Sequence, residues 1–202
     1  MIKLAAPEIH TLCYVENAIL PGASICYDLP ADDKERVIRI IDNKKHFAIL
    51  RHGFASVMIS GISRVIGRQI LRKAHADYLE MSQRYVDVRN ARFIMPKKIS
   101  EDATQRIIFE NGVKASKKSY VALRKSGSTK EDARYVLSQA IETKLVMSGT
   151  LQMWWDFFNL RISDRVQHEC RVTAEKILLD FASRSNIFMH HPKFLQLTSE
   201  AV

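Results

Sequence analysis

Apolar and polar residues are spaced differently in the two halves of this chain, and the spacing predicts a mixed fold. Residues 10–15 (His-Thr-Leu-Cys-Tyr-Val) read as a short strand, and residues 54–62 (Phe-Ala-Ser-Val-Met-Ile-Ser-Gly-Ile) as a longer, partly alternating one. Between them, residues 30–43 predict a helix whose apolar face is Val37, Ile38, Ile40 and Ile41. Ser63 is placed to cap a helix carrying Val65, Ile66, Ile70 and Leu71 and ending near His75. Residues 78–88 are expected to be extended. The second half reads as helical. Ser100 is expected to cap a long helix reaching about Ser126, with Gly127 as its stop. Ser128-Thr-Lys-Glu131 has the form of a capping box opening a short helix. Residues 143–160 are strongly apolar and hold Trp154, Trp155, Phe157 and Phe158, which predicts a central hydrophobic helix. A last long helix is expected from Ser163 to about Ser183, with a loosely held tail after Asn186. The architecture expected is α+β: a small mixed sheet packed with a helical layer and a central hydrophobic helix, in one domain over residues 1–202.

Composition narrows the partners. The 202 residues are 47% apolar, enough to fill a sizeable core. No apolar run approaches the roughly 20 residues that span a bilayer. The start, Met-Ile-Lys-Leu-Ala-Ala-Pro, lacks a long apolar stretch, so no signal peptide is expected. Cys13, Cys26 and Cys170 lack metal-ligand spacing and read as reduced, buried thiols of a cytoplasmic protein. The formal net charge of +9 favours anionic partners without choosing among them. Lys114, Lys117, Lys118, Arg124 and Lys125 are expected on the solvated face of a helix.

Candidate chemistry concentrates in residues 69–85. They supply an amide (Gln69), two guanidiniums (Arg72, Arg84), a carboxylate (Glu80) and a hydroxyl (Ser82). Glu80, Ser82 and Arg84 are two apart, so an extended backbone would point them to one side. Such a group can grip a phosphate through arginine forks and read a base edge through Gln, Glu and Ser. The plain alternative is a helix end followed by a solvated strand. Arg134 follows the capping box, and Arg161 closes the aromatic segment; each is either an ion-pair partner or an anion ligand. With Arg84, the two could clamp a phosphate and a ring carbonyl. The seven histidines show no metal-binding spacing. Arg51-His52-Gly53 with Ser56 lies at the start of a strand and reads as structural.

Taken in order, these marks resemble the flavin-dependent thymidylate synthases over nearly the whole length. The resemblance rests on His46 six residues before His52; Gly61-Ile-Ser-Arg64; Gln69-x-x-Arg72; Glu80-x-Ser82-x-Arg84-Tyr85; Phe93-Ile-Met-Pro96; Ala133-Arg134-Tyr-Val-Leu137; Thr143; and Phe157-Phe-Asn-Leu-Arg161 followed by Gln167 and Glu169. It implies an α+β homotetramer with active sites shared between subunits. It also implies transfer of a one-carbon unit from methylenetetrahydrofolate to C5 of dUMP, with flavin-mediated reduction giving dTMP. FAD would be the redox carrier, NADPH and the folate co-substrates, and no cysteine nucleophile would be used. The resemblance assigns Gln69, Glu80, Ser82, Arg84, Arg134 and Arg161 to the nucleotide. Among them Ser82 would lie over the ring and Arg161 would hold the uracil carbonyl as the catalytic pair. His46, Arg72 and Lys73 would face the flavin.

The departures from the family pattern are concentrated. Its Arg-His-Arg signature is Arg72-Lys73-Ala74 here, and its Glu-His pair is Arg51-His52. An Asn, an Arg two residues on and a second Asn are replaced by Thr150, Gln152 and Asp156, and a Pro by Ser138. Most of these are the family's flavin contacts, whereas the nucleotide contacts are largely kept. Two other readings follow. One is a diverged homologue that hydroxymethylates or methylates another pyrimidine nucleotide, dUMP or dCMP, for modified-base synthesis. The other is a non-catalytic nucleotide- or nucleic-acid-binding protein on the same scaffold, although nucleic acid is not the partner that the kept residues favour.

Overall fold

The structure, a computed structural model, describes residues 1–28, 30 and 33–199. The expected strands form, at Glu8–Val15 (β2) and Phe54–Ser63 (β3), with a further short strand before them at Ile2–Leu4 (β1). β3 alternates as the pattern requires: Ala55, Val57 and Ile59 are buried. Asp77–Glu80 (β4), Phe93–Met95 (β5) and Glu142–Thr150 (β6) complete the strands among the described residues. One sheet has the order β2-β3-β6-β4; β1 pairs in parallel with β5, with Ile2 opposite Phe93 and Leu4 opposite Met95. The mixed α+β architecture is the one expected.

The helices are Ile19–Tyr27 (α1), Lys34–Lys44 (α2), Arg64–Ile70 (α3), Lys97–Glu101 (α4), Ala103–Lys125 (α5), Lys130–Ala133 (α6), Leu151–Arg161 (α7), His168–Arg184 (α8), Asn186–Met189 (α9) and Pro192–Ser199 (α10). α1 had no counterpart in the sequence reading. α2 starts later than expected, because Asp33 caps it by accepting from the Arg36 amide; residues 31 and 32 of the expected helix lie outside the described residues. Ser63 caps α3 as foreseen, accepting from Ile66 N, but the helix stops at Ile70. At the junction before it, Gly61 has φ +70°, and the Ala6 carbonyl occupies the place a Cβ would take.

By its internal contacts the chain divides into two compact units. The first comprises Met1–Glu8, Ile59–Arg72 and Leu79–Leu145. The second comprises Ile9–Met58, Lys73–Tyr78 and the chain from Val146 on.

In the first unit a core of Val88, Phe93, Val113, Tyr120, Ala133, Ala140 and Ile141 packs under α5. Three details differ from expectation. Ser100 does not cap the long helix. It lies inside α4 with its hydroxyl bonded back to the Lys97 carbonyl, while Asp102 breaks the chain and accepts from Gln105 N. Thr129, one residue past the expected Ser128, caps α6 by accepting from Asp132 N. Residues 78–88 are not extended throughout, since the strand ends at Glu80 and a turn follows. Of the basic residues expected on the solvated face of α5, Lys114, Lys118 and Lys125 are exposed, whereas Lys117 and Arg124 are half-buried, and Arg124 donates to the Ser128 carbonyl.

In the second unit the apolar stretch expected as one helix is a strand followed by a helix. Met147 is buried and Ser148 is not, a period of two, so this part of β6 is extended. From Leu151 on, nearly every position is buried and the spacing becomes helical, with Thr150 as the cap accepting from Met153 N. The aromatic core is Trp154, Phe157 and Phe158 against Phe181 of α8 and Phe188 of α9. The tail is not loosely held: Phe188 and His191 are fully buried. The last long helix starts at His168, because the Ser163 hydroxyl closes a turn on Arg165 N first. All three cysteines are free, but only Cys170 is buried; Cys26 is exposed.

Candidate nucleotide site

Four arginines and two carboxylates are linked in the first unit. Arg64 and Arg68 stand one turn apart on α3, on the same face. Both reach Glu80, at 3.6 Å (Nη1 to Oε1) and 3.1 Å (Nη2 to Oε2), and Thr143 donates to Glu80 Oε1 at 3.2 Å. A Cβ on Gly67 would stand 3.2 Å from the same Oε1, so the helix backbone approaches the carboxylate closely. The Glu80 side chain is 11% exposed and that of Arg64 16%. Burial holds the Arg64 guanidinium below its usual range; Glu80 opposes the shift, and the positive charges of Arg68 and Arg134 add to it. Arg64 Nη1 is out of contact with solvent and makes no hydrogen bond among the described residues.

The second carboxylate is Glu131. Arg84 Nε lies 2.5 Å from Glu131 Oε2, and Arg134 Nε donates to the Glu131 carbonyl at 3.1 Å. Ser82 does not alternate with Glu80 and Arg84 along a strand. It opens the turn after β4, with Ser82 Oγ accepting from Arg84 N at 3.3 Å and its carbonyl accepting from Val86 N at 2.9 Å. Lys130 fastens the same turn through the Tyr85 carbonyl at 2.8 Å. Arg84 is 58% exposed, so its fork opens to solvent and not into a closed pocket. Gln69, half-buried, lies in the last turn of α3, on the residue after Arg68. Arg64 and Arg68 thus meet the Glu80 carboxylate, Arg84 that of Glu131, and Arg134 the Glu131 main-chain carbonyl, four guanidiniums with two carboxylates, an arrangement that favours an anion.

Arg161 belongs to the second unit, at the end of α7, half-buried with its Nε shielded from solvent. Its charge acts on two neighbours. Burial raises the Tyr78 hydroxyl and Arg161 opposes the rise; burial also pushes the Cys170 thiol up to about 11, against the pull of Arg161. A thiol so shifted is a poor nucleophile near neutral pH.

The residues expected at a flavin are partly engaged by neighbours. His46 Nδ1 pairs with the Tyr27 hydroxyl. Lys73 Nζ stands 3.8 Å from Asp156 Oδ2. Arg72 is exposed. Arg51 Nε donates to Gln152 Oε1 at 2.6 Å. Arg72 belongs to the first unit and His46 and Lys73 to the second. Guanidinium and ammonium groups are the cations that suit the phosphates of a diphosphate cofactor, and an imidazole offers a ring nitrogen.

A family model described as thymidylate synthase complementing protein matches residues 9–184. The chain belongs to that family. Flavin-dependent thymidylate synthase of Geobacter sulfurreducens is 33% identical over 175 residues, covering 81% of this chain and 75% of that protein. The enzyme of the same name from Pyrococcus furiosus is 34% identical over 163 residues, 77% of this chain, and that of Pyrococcus abyssi 35% identical over 149 residues, 70% of this chain. The matched part spans 66% and 60% of those two proteins. Among solved structures, the crystal structure of a UMP/dUMP methylase, PolB, from Streptomyces cacaoi bound with 5-Br dUMP superposes with a TM-score of 0.82 at 17% identity, covering 96% of both chains. That likeness is one of fold.

Within this thymidylate synthase complementing protein fold, the sequence reading missed Arg64 and Arg68 as partners of Glu80. The signal was present: two arginines at i and i+4 on a helix with a recognisable cap. Their common target is twelve or more residues away in sequence and is brought there by β4, which periodicity alone does not specify.

Proposed function

We propose that this protein transfers a one-carbon unit from methylenetetrahydrofolate to C5 of dUMP, with flavin-mediated reduction, giving dTMP. The observation that carries the reading is the surplus of guanidinium over carboxylate around Glu80 and Glu131, in a family whose relatives bear the thymidylate synthase name. Arg64, Arg84 and Arg134 would meet the phosphate, with Gln69 beside them. Glu80, held by Arg64, Arg68 and Thr143, presents a fixed acceptor to a ring or sugar donor. Ser82 would lie over the pyrimidine. Arg161 would hold the uracil carbonyl, where negative charge develops as C5 becomes nucleophilic. C5 gains the carbon unit and loses its proton, and reducing equivalents from NADPH take that carbon to the methyl level. FAD, when bound, supplies the redox chemistry, and His46, Arg72 and Lys73 would hold it. The proposal includes a cytoplasmic homotetramer with shared active sites.

A second reading is kept for the replaced flavin positions: methylation or hydroxymethylation of another pyrimidine nucleotide. It is favoured by Asp156 beside Lys73 and by Gln152 beside Arg51. The solved structure of like fold is named for UMP as well as dUMP, which adds UMP to the substrates worth testing.

The deciding experiment incubates the protein with FAD, NADPH, methylenetetrahydrofolate and either dUMP, UMP or dCMP, and reads product mass. A methylated dUMP supports the first reading, and a hydroxymethylated product or a preference for UMP or dCMP the second. Unmodified nucleotides throughout reject both. Calorimetry provides an independent check on the site. Arg134→Ala is expected to weaken dUMP binding by about 2 kcal/mol, roughly thirtyfold in Kd, and a loss under about twofold would remove Arg134 from the site.

A further inference from the structure

One face of α7 gathers basic side chains. Gln152 and Asp156 are one turn apart on that helix and so share a face. Gln152 takes the Arg51 guanidinium and Asp156 stands by the Lys73 ammonium, all four in the second unit. The two contacts differ in kind. Gln152 is neutral and leaves the charge of Arg51 intact, whereas Asp156 is an anion set against a cation. Residues 153–158 are otherwise buried, and Asp156 alone in that run is exposed, 49% at its side chain, so packing does not require it.

Lys73 is the converse case. Its side chain is only 13% exposed, and its backbone is pinned because the Tyr78 hydroxyl donates to the Lys73 carbonyl at 2.8 Å. At 3.8 Å the ammonium and the carboxylate are beyond hydrogen-bond distance. A sheltered ammonium on a flexible stem, loosely matched to a half-exposed carboxylate, can exchange that carboxylate for a better anion.

We propose that Asp156 is a built-in counter-ion that competes with the phosphates of a diphosphate cofactor for Lys73, and so sets how tightly this chain holds FAD. The inference rests on the flavin reading above and adds to it the residue that weakens the hold. A partly exposed pair of this kind is screened, so removing the carboxylate is expected to improve affinity by about fivefold and not by orders of magnitude.

The test is titration of FAD into the full-length protein, followed by flavin fluorescence at low ionic strength, for wild type, Asp156→Asn and the double variant Asp156→Asn/Lys73→Met. Riboflavin, which has the ring but no phosphate, is the control. Asp156→Asn should bind FAD about fivefold more tightly, with no comparable gain for riboflavin, and the gain should vanish in the double variant. An unchanged FAD affinity, an equal gain for riboflavin, or a gain that survives loss of Lys73 would overturn the counter-ion role while leaving the flavin reading standing. Should neither wild type nor Asp156→Asn take up FAD, the flavin reading fails and the proposal goes with it.

Discussion

His191 shows how much one residue's surroundings can decide. It is fully buried against Trp155 and Phe158, with ring centroids 4.3 and 5.7 Å away. Its Nδ1 accepts from Lys193 N at 3.1 Å, so Nε2 carries the proton and donates to the Trp155 carbonyl at 3.2 Å. Both nitrogens are satisfied by the neutral ring, and burial pushes the imidazole down from 6.5 to about 4, against the pull of the Trp155 carbonyl. The unfolded chain therefore takes up this proton first as pH falls. Stability from this group is complete above about pH 6.5 and declines below it, by about 2 kcal/mol between pH 8 and pH 5. Urea unfolding at the two pH values should show that decline, and His191→Gln should flatten it. Parallel pH profiles for the two proteins would contradict the assignment. In sequence, His190-His191-Pro192 resembled a loose tail because nothing in the neighbouring residues announces a partner 36 positions away. Ser63 is the contrasting residue: its role as a cap depends on Ile66 three positions on, and was readable.

At the scale of elements, local signals fixed some boundaries and misled at others. The break between β6 and α7 is a change of period, from alternation through Met147 and Gly149 to the burial of most positions from Leu151 to Phe158. A smoothed view of hydrophobicity merges the two, and Thr150 is the residue that separates them. Its side chain holds the Met153 amide, which would otherwise be unpaired at the helix start. Thr150→Ala should cost about 1 kcal/mol, a fall in melting temperature of about 2–4 °C for a chain of this size. Thr150→Ser should restore most of it. An alanine variant that melts with wild type would show that tertiary packing, and not the cap, sets the boundary. The turn after β4 carries a different lesson. Two-residue spacing suggested that Glu80, Ser82 and Arg84 share a strand face, but Lys130 and Glu131 of α6 anchor that turn from about fifty residues away.

Across the whole molecule, the net charge of +9 is spread over many exposed residues, yet the structure shows where charge is locally unbalanced. If the guanidiniums of the first unit meet the nucleotide's phosphate, dUMP binding must weaken with salt. Raising NaCl from about 50 to about 500 mM should increase the Kd about three- to tenfold, and an affinity indifferent to salt would argue that these arginines serve the fold alone. The order of amino acids was enough to read the mixed α+β architecture, the strand over residues 54–62, the Ser63 cap and the family, because these depend on short-range periodicity and on the succession of residue types. Tertiary structure alone decided that Glu80 is shared by Arg64, Arg68 and Thr143, that Glu131 joins Arg84 to Arg134, and that Lys73 faces Asp156. Those pairings join residues from separate elements. Coulomb forces between them act only after hydrophobic burial has fixed the backbone that carries them.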